Sequence, residues 1–145
     1  MTLKVCLVDT NVIVSGLIGA DPNSPPARIL DTMLAGDVLY LMSEDLLDEY
    51  ASVLRRPSLV RLHGRTDDEI DVILSELVAN AIWREPVAGG DAPDTGDNHL
   101  WALLASHPQG LLVTGDRLLV ENPPSGTRVI SPRHFVDAFL SPKKS

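Results

Sequence analysis

Leu3-Lys4-Val5-Cys6-Leu7-Val8-Asp9-Thr10-Asn11 is an almost unbroken apolar run that ends abruptly in an acid. With no polar alternation, the run predicts a strand buried on both faces, as in a parallel sheet. An acid at the end of such a strand stands where open α/β sheets keep their ligands, outside the carboxyl ends of the strands. The question for the rest of the chain is which other acids converge on Asp9.

Downstream, residues 11–17 predict a short helix capped by Thr10 or Asn11, and residues 19–26 a loop rich in Gly, Pro and Asp. Residues 27–35 predict a helix with Ile29, Leu30, Met33 and Leu34 on one face, ended by Gly36. Residues 38–42 form a second apolar strand. Ser43 then caps a helix over residues 44–55, with acids in its first turn, Arg55-Arg56 at its end and Pro57 as its stop. Residues 58–65 read as a basic connector. Residues 67–79 form another amphipathic helix behind Thr66, and 81–83 a short strand. A Gly/Pro/Asp loop over 87–96 leads into a helix that begins near residues 94–97 and runs to Ser106, with Leu100, Trp101 and Leu104 inward. Residues 111–114 form a third continuous apolar strand, ending in Gly115-Asp116, and residues 128–130 a last strand. Ser131-Pro132 opens the final helix, Pro being suited to a first helical position. Strands alternating with helices predict a three-layer α/β/α sandwich around a central parallel sheet. It is read as a single domain over residues 1–140 with a tail over 141–145.

Composition fits one folded domain: of 145 residues, 44% are apolar and 22% charged. No apolar stretch reaches the roughly 18–20 residues that span a bilayer, and the N-terminus carries no signal-peptide pattern. Cys6 is the only cysteine, so no internal disulfide forms, which suits a reducing cytoplasm. A net charge of −8 argues against a nucleic-acid binder unless several acids form one site whose charge is cancelled by cations.

Four acids are placed for that. Asp9 and Asp116 follow apolar strands and stand at the carboxyl edge of the sheet. In the helix over 44–55, Leu46, Leu47, Tyr50, Val53 and Leu54 form one arc at about 100° per residue. Asp45, Asp48 and Ser52 fall opposite, and Glu49 falls on the edge of the arc. Asp97 lies in the arc of Leu100, Trp101 and Leu104. Each acid also has a plainer role: Asp9 and Asp97 as caps, Glu49 as a boundary residue, Asp116 as a turn residue. Taken together, carboxylates about 4 Å apart repel by on the order of 4 kcal/mol per pair at an effective dielectric of about 20. Such a cluster therefore calls for protons or cations. Oxygen-only ligands favour hard ions such as Mg2+ or Mn2+, which can activate water and stabilise a leaving oxygen in phosphodiester hydrolysis.

Val8-Asp9-Thr10-Asn11-Val12, Glu49 after the second strand, Asp97 before Leu100-Trp101-Ala102-Leu103, and Leu112-Val113-Thr114-Gly115-Asp116 together resemble the PIN domain, most closely VapC-like toxins of bacterial toxin–antitoxin pairs. The likeness extends to the closing Ile130-Ser131-Pro132-Arg133-His134-Phe135. It implies a metal-dependent endoribonuclease in which Asp9, Glu49, Asp97 and Asp116 match the metal positions and catalytic site. Asn11 and Thr114 match supporting polar positions. It also implies an RNA substrate, a small antitoxin partner and a homodimer. The loop before Asp97 is poorer in acids than is usual in that branch, so Asp94 is either a supporting site residue or a cap. Asp116 is followed by Arg117, and the fourth acid is the one the family most often dispenses with.

Phosphate contacts are sought in the basic segment Arg55, Arg56, Arg61 and Arg65 and in Arg117. The plainer reading of that segment is a solvated connector. Aromatics at 4% leave little for base stacking. His63, His99, His107 and His134 show no metal-ligand spacing. Met33, Met42, Trp83 and Trp101 are read as core, and exposed apolar residues around Leu17-Ile18 and Leu59-Val60 as a possible antitoxin seat. Two other classes compete: a catalytically weak PIN scaffold that binds RNA or protein, and a phospho-receiver domain. The second needs paired acids just after the first strand and a lysine ending a late strand, and Thr114-Gly115-Asp116 offers none.

Overall fold

A computed structural model describes residues 4–85, 98–123 and 126–140. The elements run β1 (Val5–Val8), α1 (Thr10–Ile18), α2 (Pro25–Leu34), β2 (Leu39–Met42), α3 (Glu44–Leu54), α4 (Pro57–His63), α5 (Asp67–Ala79), β3 (Ile82–Trp83), α6 (Asn98–Ala105), β4 (Leu111–Val113), α7 (Arg117–Glu121), β5 (Arg128–Ile130) and α8 (Pro132–Phe139). Helices cover a five-stranded, all-parallel sheet of order β3-β2-β1-β4-β5, giving the expected three-layer α/β/α fold.

β1 lies at the centre of this sheet, between β2 and β4, and its apolar sequence suits burial on both faces. All four of its residues are buried, Cys6, Leu7 and Val8 completely. Each fully buried side chain of this size contributes about 1.5–3 kcal/mol over an exposed one. From β1 the chain builds outward to β2 and β3 on one side, then returns to build β4 and β5 on the other. The reversal lies between β1 and β4, which pair with Val8 opposite Val113. Open parallel sheets form their ligand crevice at such a reversal. Asp9 leaves β1 there, and Thr114-Gly115-Asp116 leaves β4 there.

Two buried tyrosines fasten helices to this frame. The Tyr50 hydroxyl of α3 donates to the Val8 carbonyl at the last residue of β1, and the Tyr40 hydroxyl of β2 donates to the Leu77 carbonyl of α5 at 2.6 Å. Burial pushes the Tyr50 phenol well above its ordinary range, so the hydroxyl keeps its proton and remains a donor. Tyr50→Phe leaves the Val8 carbonyl without that buried donor. Chemical denaturation should show a loss of about 1–3 kcal/mol; an unchanged midpoint would mean that the bond contributes nothing.

Several sequence expectations need correction. Residues 58–65 are not a connector. Pro57 does stop α3, but it is also the first residue of α4, where its missing N–H is harmless. α4 buries no residue completely, so it had no core-facing periodicity to reveal it. It ends at Gly64, whose φ of 67° is left-handed. α2 starts two residues earlier than expected, at Pro25, with Ser24 as cap. α1 is capped by Asp9, not by Thr10 or Asn11. The short α7 was not foreseen, and Asp116 caps it. Trp101 is core, but Trp83 is 44% exposed, because its two-residue strand lies at the sheet edge. Leu17, Ile18, Leu59 and Val60 are half-buried; the exposed large apolar residues include Leu62, Val72 and Leu118.

Candidate active site

The crevice at the β1–β4 reversal is built from two chain crossings. Asp9 is 8% exposed, and each of its carboxylate oxygens is engaged. Oδ1 accepts the Thr10 N–H at 2.8 Å, closing the first turn of α1. Oδ2 accepts the Thr114 hydroxyl at 2.8 Å and the Asn11 side-chain amide at 3.3 Å. Thr114, fully buried, also accepts from the Asn11 amide at 3.2 Å and from the Asp116 N–H at 3.1 Å. Asn11 completes the link by accepting the Gly115 N–H at 2.9 Å. That approach is close: a Cβ at position 115 would stand 3.3 Å from the Asn11 oxygen, so Asn11 would have to give by a few tenths of an ångström.

Glu49 reaches the same crevice from α3. The Thr10 hydroxyl donates to its Oε2, and His99 Nε2 of α6 lies 3.3 Å from its Oε1. Asp9, Asn11, Ser15, Glu49 and Asp116 line one open cleft of ≈ 400 Å³. Burial pushes the Asp9 carboxyl above its ordinary range. The Thr114 hydroxyl and Thr10 N–H pull it back in part, and the Glu49 and Asp116 carboxylates push it further up.

Of the four acids expected to approach one edge, Asp9, Glu49 and Asp116 line this cleft. Asp9 both caps α1 and faces the cleft; Asp116 both caps α7, through Leu118 N–H at 3.0 Å, and faces the cleft. Asp97 and Asp94 lie outside the described residues. In chemical kind, three carboxylates on one cleft fit a hard divalent cation. In arrangement, no three His, Cys, Asp or Glu side chains among the described residues stand as a group that could hold an ion.

The basic residues are dispersed. Arg55 ties α3 to α5 through Asp71 and, at 3.6 Å, Asp67. Arg65 pairs with Glu69 at 3.9 Å, and Arg117 with Glu121 at 3.8 Å. These are exposed pairs, worth about 0–1 kcal/mol, and each can exchange its partner for a phosphate. Arg56 lines a second cleft beside Glu49 and His99, and Arg61 is exposed on α4. Sequence reading missed Thr10 and His99 as partners of Glu49. Their separations from it, 39 and 50 residues, place them in other helices, where no spacing pattern can find them.

The PIN domain family matches residues 5–118. No curated protein matches the chain. PIN domains are generally nucleases and commonly use divalent metals. No helix among the described residues is long and apolar enough to cross a membrane.

Proposed function

The chain belongs to the PIN domain family, and from that premise we propose that it is a metal-dependent endoribonuclease, the VapC-like toxin of a toxin–antitoxin pair. The observation that carries the nuclease reading is the convergence of Asp9, Glu49 and Asp116 on one cleft at the sheet's reversal point. Asp9, Glu49, Asp97 and Asp116 hold Mg2+ or Mn2+, with Asn11, Thr114 and Asp94 in support. When bound, the cation supplies charge neutralisation and an activated water for attack on phosphorus. The chain's own part is to keep Asp9 dry and oriented through Thr114 and Asn11, and to bring Glu49 across from α3. Arg56 and Arg61 offer phosphate contacts that no acid occupies among the described residues, and Arg55, Arg65 and Arg117 add exchangeable ones. The finer reading rests on the order of the sequence motifs: one nuclease domain over residues 1–140 with a tail over 141–145, working in the cytoplasm as a homodimer, held by a small antitoxin protein.

The test is cleavage of RNA by purified protein. Activity should require Mg2+ or Mn2+, vanish with a chelator and return when Mn2+ is restored in excess. Cleavage that survives chelation would overturn the metal assignment. Induced expression should arrest growth and co-expression of a small neighbouring gene product should relieve it; unimpaired growth alongside RNA cleavage in vitro would reject the toxin role alone.

A second reading is a catalytically weak PIN scaffold that acts by binding RNA or protein. What favours it is that no three described side chains stand together as an ion-holding group. It predicts no cleavage at any Mn2+ concentration.

A further inference from the structure

Among the described residues, Glu49 is the proposed ligand that comes from a helix interior and not from a strand end, so something must fix its long side chain. A free glutamate gives up much of its rotamer freedom when it is held. Both of its oxygens have a partner. Thr10 donates to Oε2, and His99 Nε2 lies 3.3 Å from Oε1. The His99 side chain is 16% exposed, while Glu49 is 29% exposed. The other ring nitrogen, Nδ1, is buried and has no hydrogen-bond partner among the described residues. A buried N–H without an acceptor is costlier and rarer than a buried acceptor without a donor. The ring proton therefore belongs on Nε2, where the carboxylate accepts it.

We infer that His99, as its Nε2–H tautomer, is a positioning residue for Glu49, pinning α3 to α6 beside the cleft. This role rests on the nuclease reading of the site only for its consequence, not for the contact. Each carboxylate oxygen has two acceptor sites, so one bond from Thr10 and one from His99 orient Glu49 and still leave lone pairs facing the cleft. Histidine acts here one step removed from the cleft, as the outer partner of a ligand, a role worth about 10–100-fold in metal affinity where it has been removed elsewhere.

The contact is tested by long-range proton–nitrogen NMR on nitrogen-15-labelled full-length protein. His99 should show a protonated Nε2 and a bare Nδ1, and Glu49→Gln should move the Nε2 resonance. A protonated Nδ1, or a Nε2 resonance indifferent to Glu49→Gln, overturns the inference whatever the variants do. The consequence is tested by calorimetry with Mn2+ alone. His99→Leu should weaken binding about tenfold or more. His99→Gln, whose amide nitrogen reaches the Nε2 position, should stay within about threefold of wild type. Equal weakening by both variants, or by neither, rejects the positioning role. If the wild type itself binds no Mn2+, the metal reading of the site fails, and the NMR result alone decides the pairing.

Discussion

Asp9→Asn should reduce metal-dependent RNA cleavage by about 10²–10³-fold, the usual scale for removing one fixed electrostatic contributor from a reacting centre, with the far-ultraviolet circular dichroism unchanged. The fold survives because asparagine keeps the oxygen that accepts the Thr10 N–H at 2.8 Å, and Asn and Asp are equivalent helix caps. What is lost is the charge. That charge is a liability to the metal-free protein. Burial, aided by Glu49 and Asp116, raises the Asp9 carboxyl above its ordinary value of 3.8 in the folded state. A group whose pKa is raised by folding contributes stability in full below its unfolded pKa, and that contribution is lost as pH rises through the folded pKa. Urea denaturation of the two metal-free proteins should thus coincide near pH 3 to 4 and diverge towards pH 7, where the Asn variant is the more stable. Mn2+ at about 100 times its Kd should add about 2.7 kcal/mol to the wild type and far less to the variant, reversing the ranking. Equal cleavage by both proteins would remove Asp9 from the reaction. A variant less stable than wild type at pH 7 without metal would refute the desolvation argument.

How much of this could be read from the chain depends on whether a signal is local. The buried strand from Val5 to Val8, and the equivalent run from Leu111 to Val113, declare themselves by lacking polar residues, and from them follow the parallel sheet and the two acids at its edge. The inward lean of Glu49 was legible because Leu46, Tyr50 and Leu54, all completely buried, fix the face of α3. What escaped was short or non-local. α4 has seven residues and no buried one, so its pattern resembles that of a loop. α7 has five, and its sole buried residue is Leu119. Trp83 was assigned to the core from its type, but an edge strand has only one neighbour to cover it. The strongest contrast is Asp9 itself. Its plainer reading as a cap and its functional reading as a site acid were set against each other, yet the two oxygens do separate work: Oδ1 closes the helix, and Oδ2 joins Thr114 and Asn11.

That second oxygen makes Thr114 the other residue whose loss should be severe. Its hydroxyl is completely buried and is the meeting point of three groups: it donates to Asp9 at 2.8 Å and accepts from Asn11 at 3.2 Å and the Asp116 N–H at 3.1 Å. Thr114→Val preserves shape and removes all three bonds. The Asp116 N–H then lacks its acceptor and the Asn11 amide keeps only Asp9, and stability should fall by about 1–3 kcal/mol. Cleavage should fall by about 10–100-fold, the range for a group that orients a ligand without touching the metal. A third effect separates positioning from simple destabilisation. The Thr114 hydroxyl is the largest influence holding the Asp9 carboxyl down, so without it Asp9 ionises at higher pH. Because a carboxylate must shed its proton before it binds a cation, the pH midpoint of Mn2+ binding should move upward in Thr114→Val. Thr114→Ser, which keeps the hydroxyl and loses only a methyl group, should leave that midpoint in place even if packing suffers. A midpoint that moves equally in both variants would assign the effect to loosened packing around β4, and the hydroxyl would then have no orienting role.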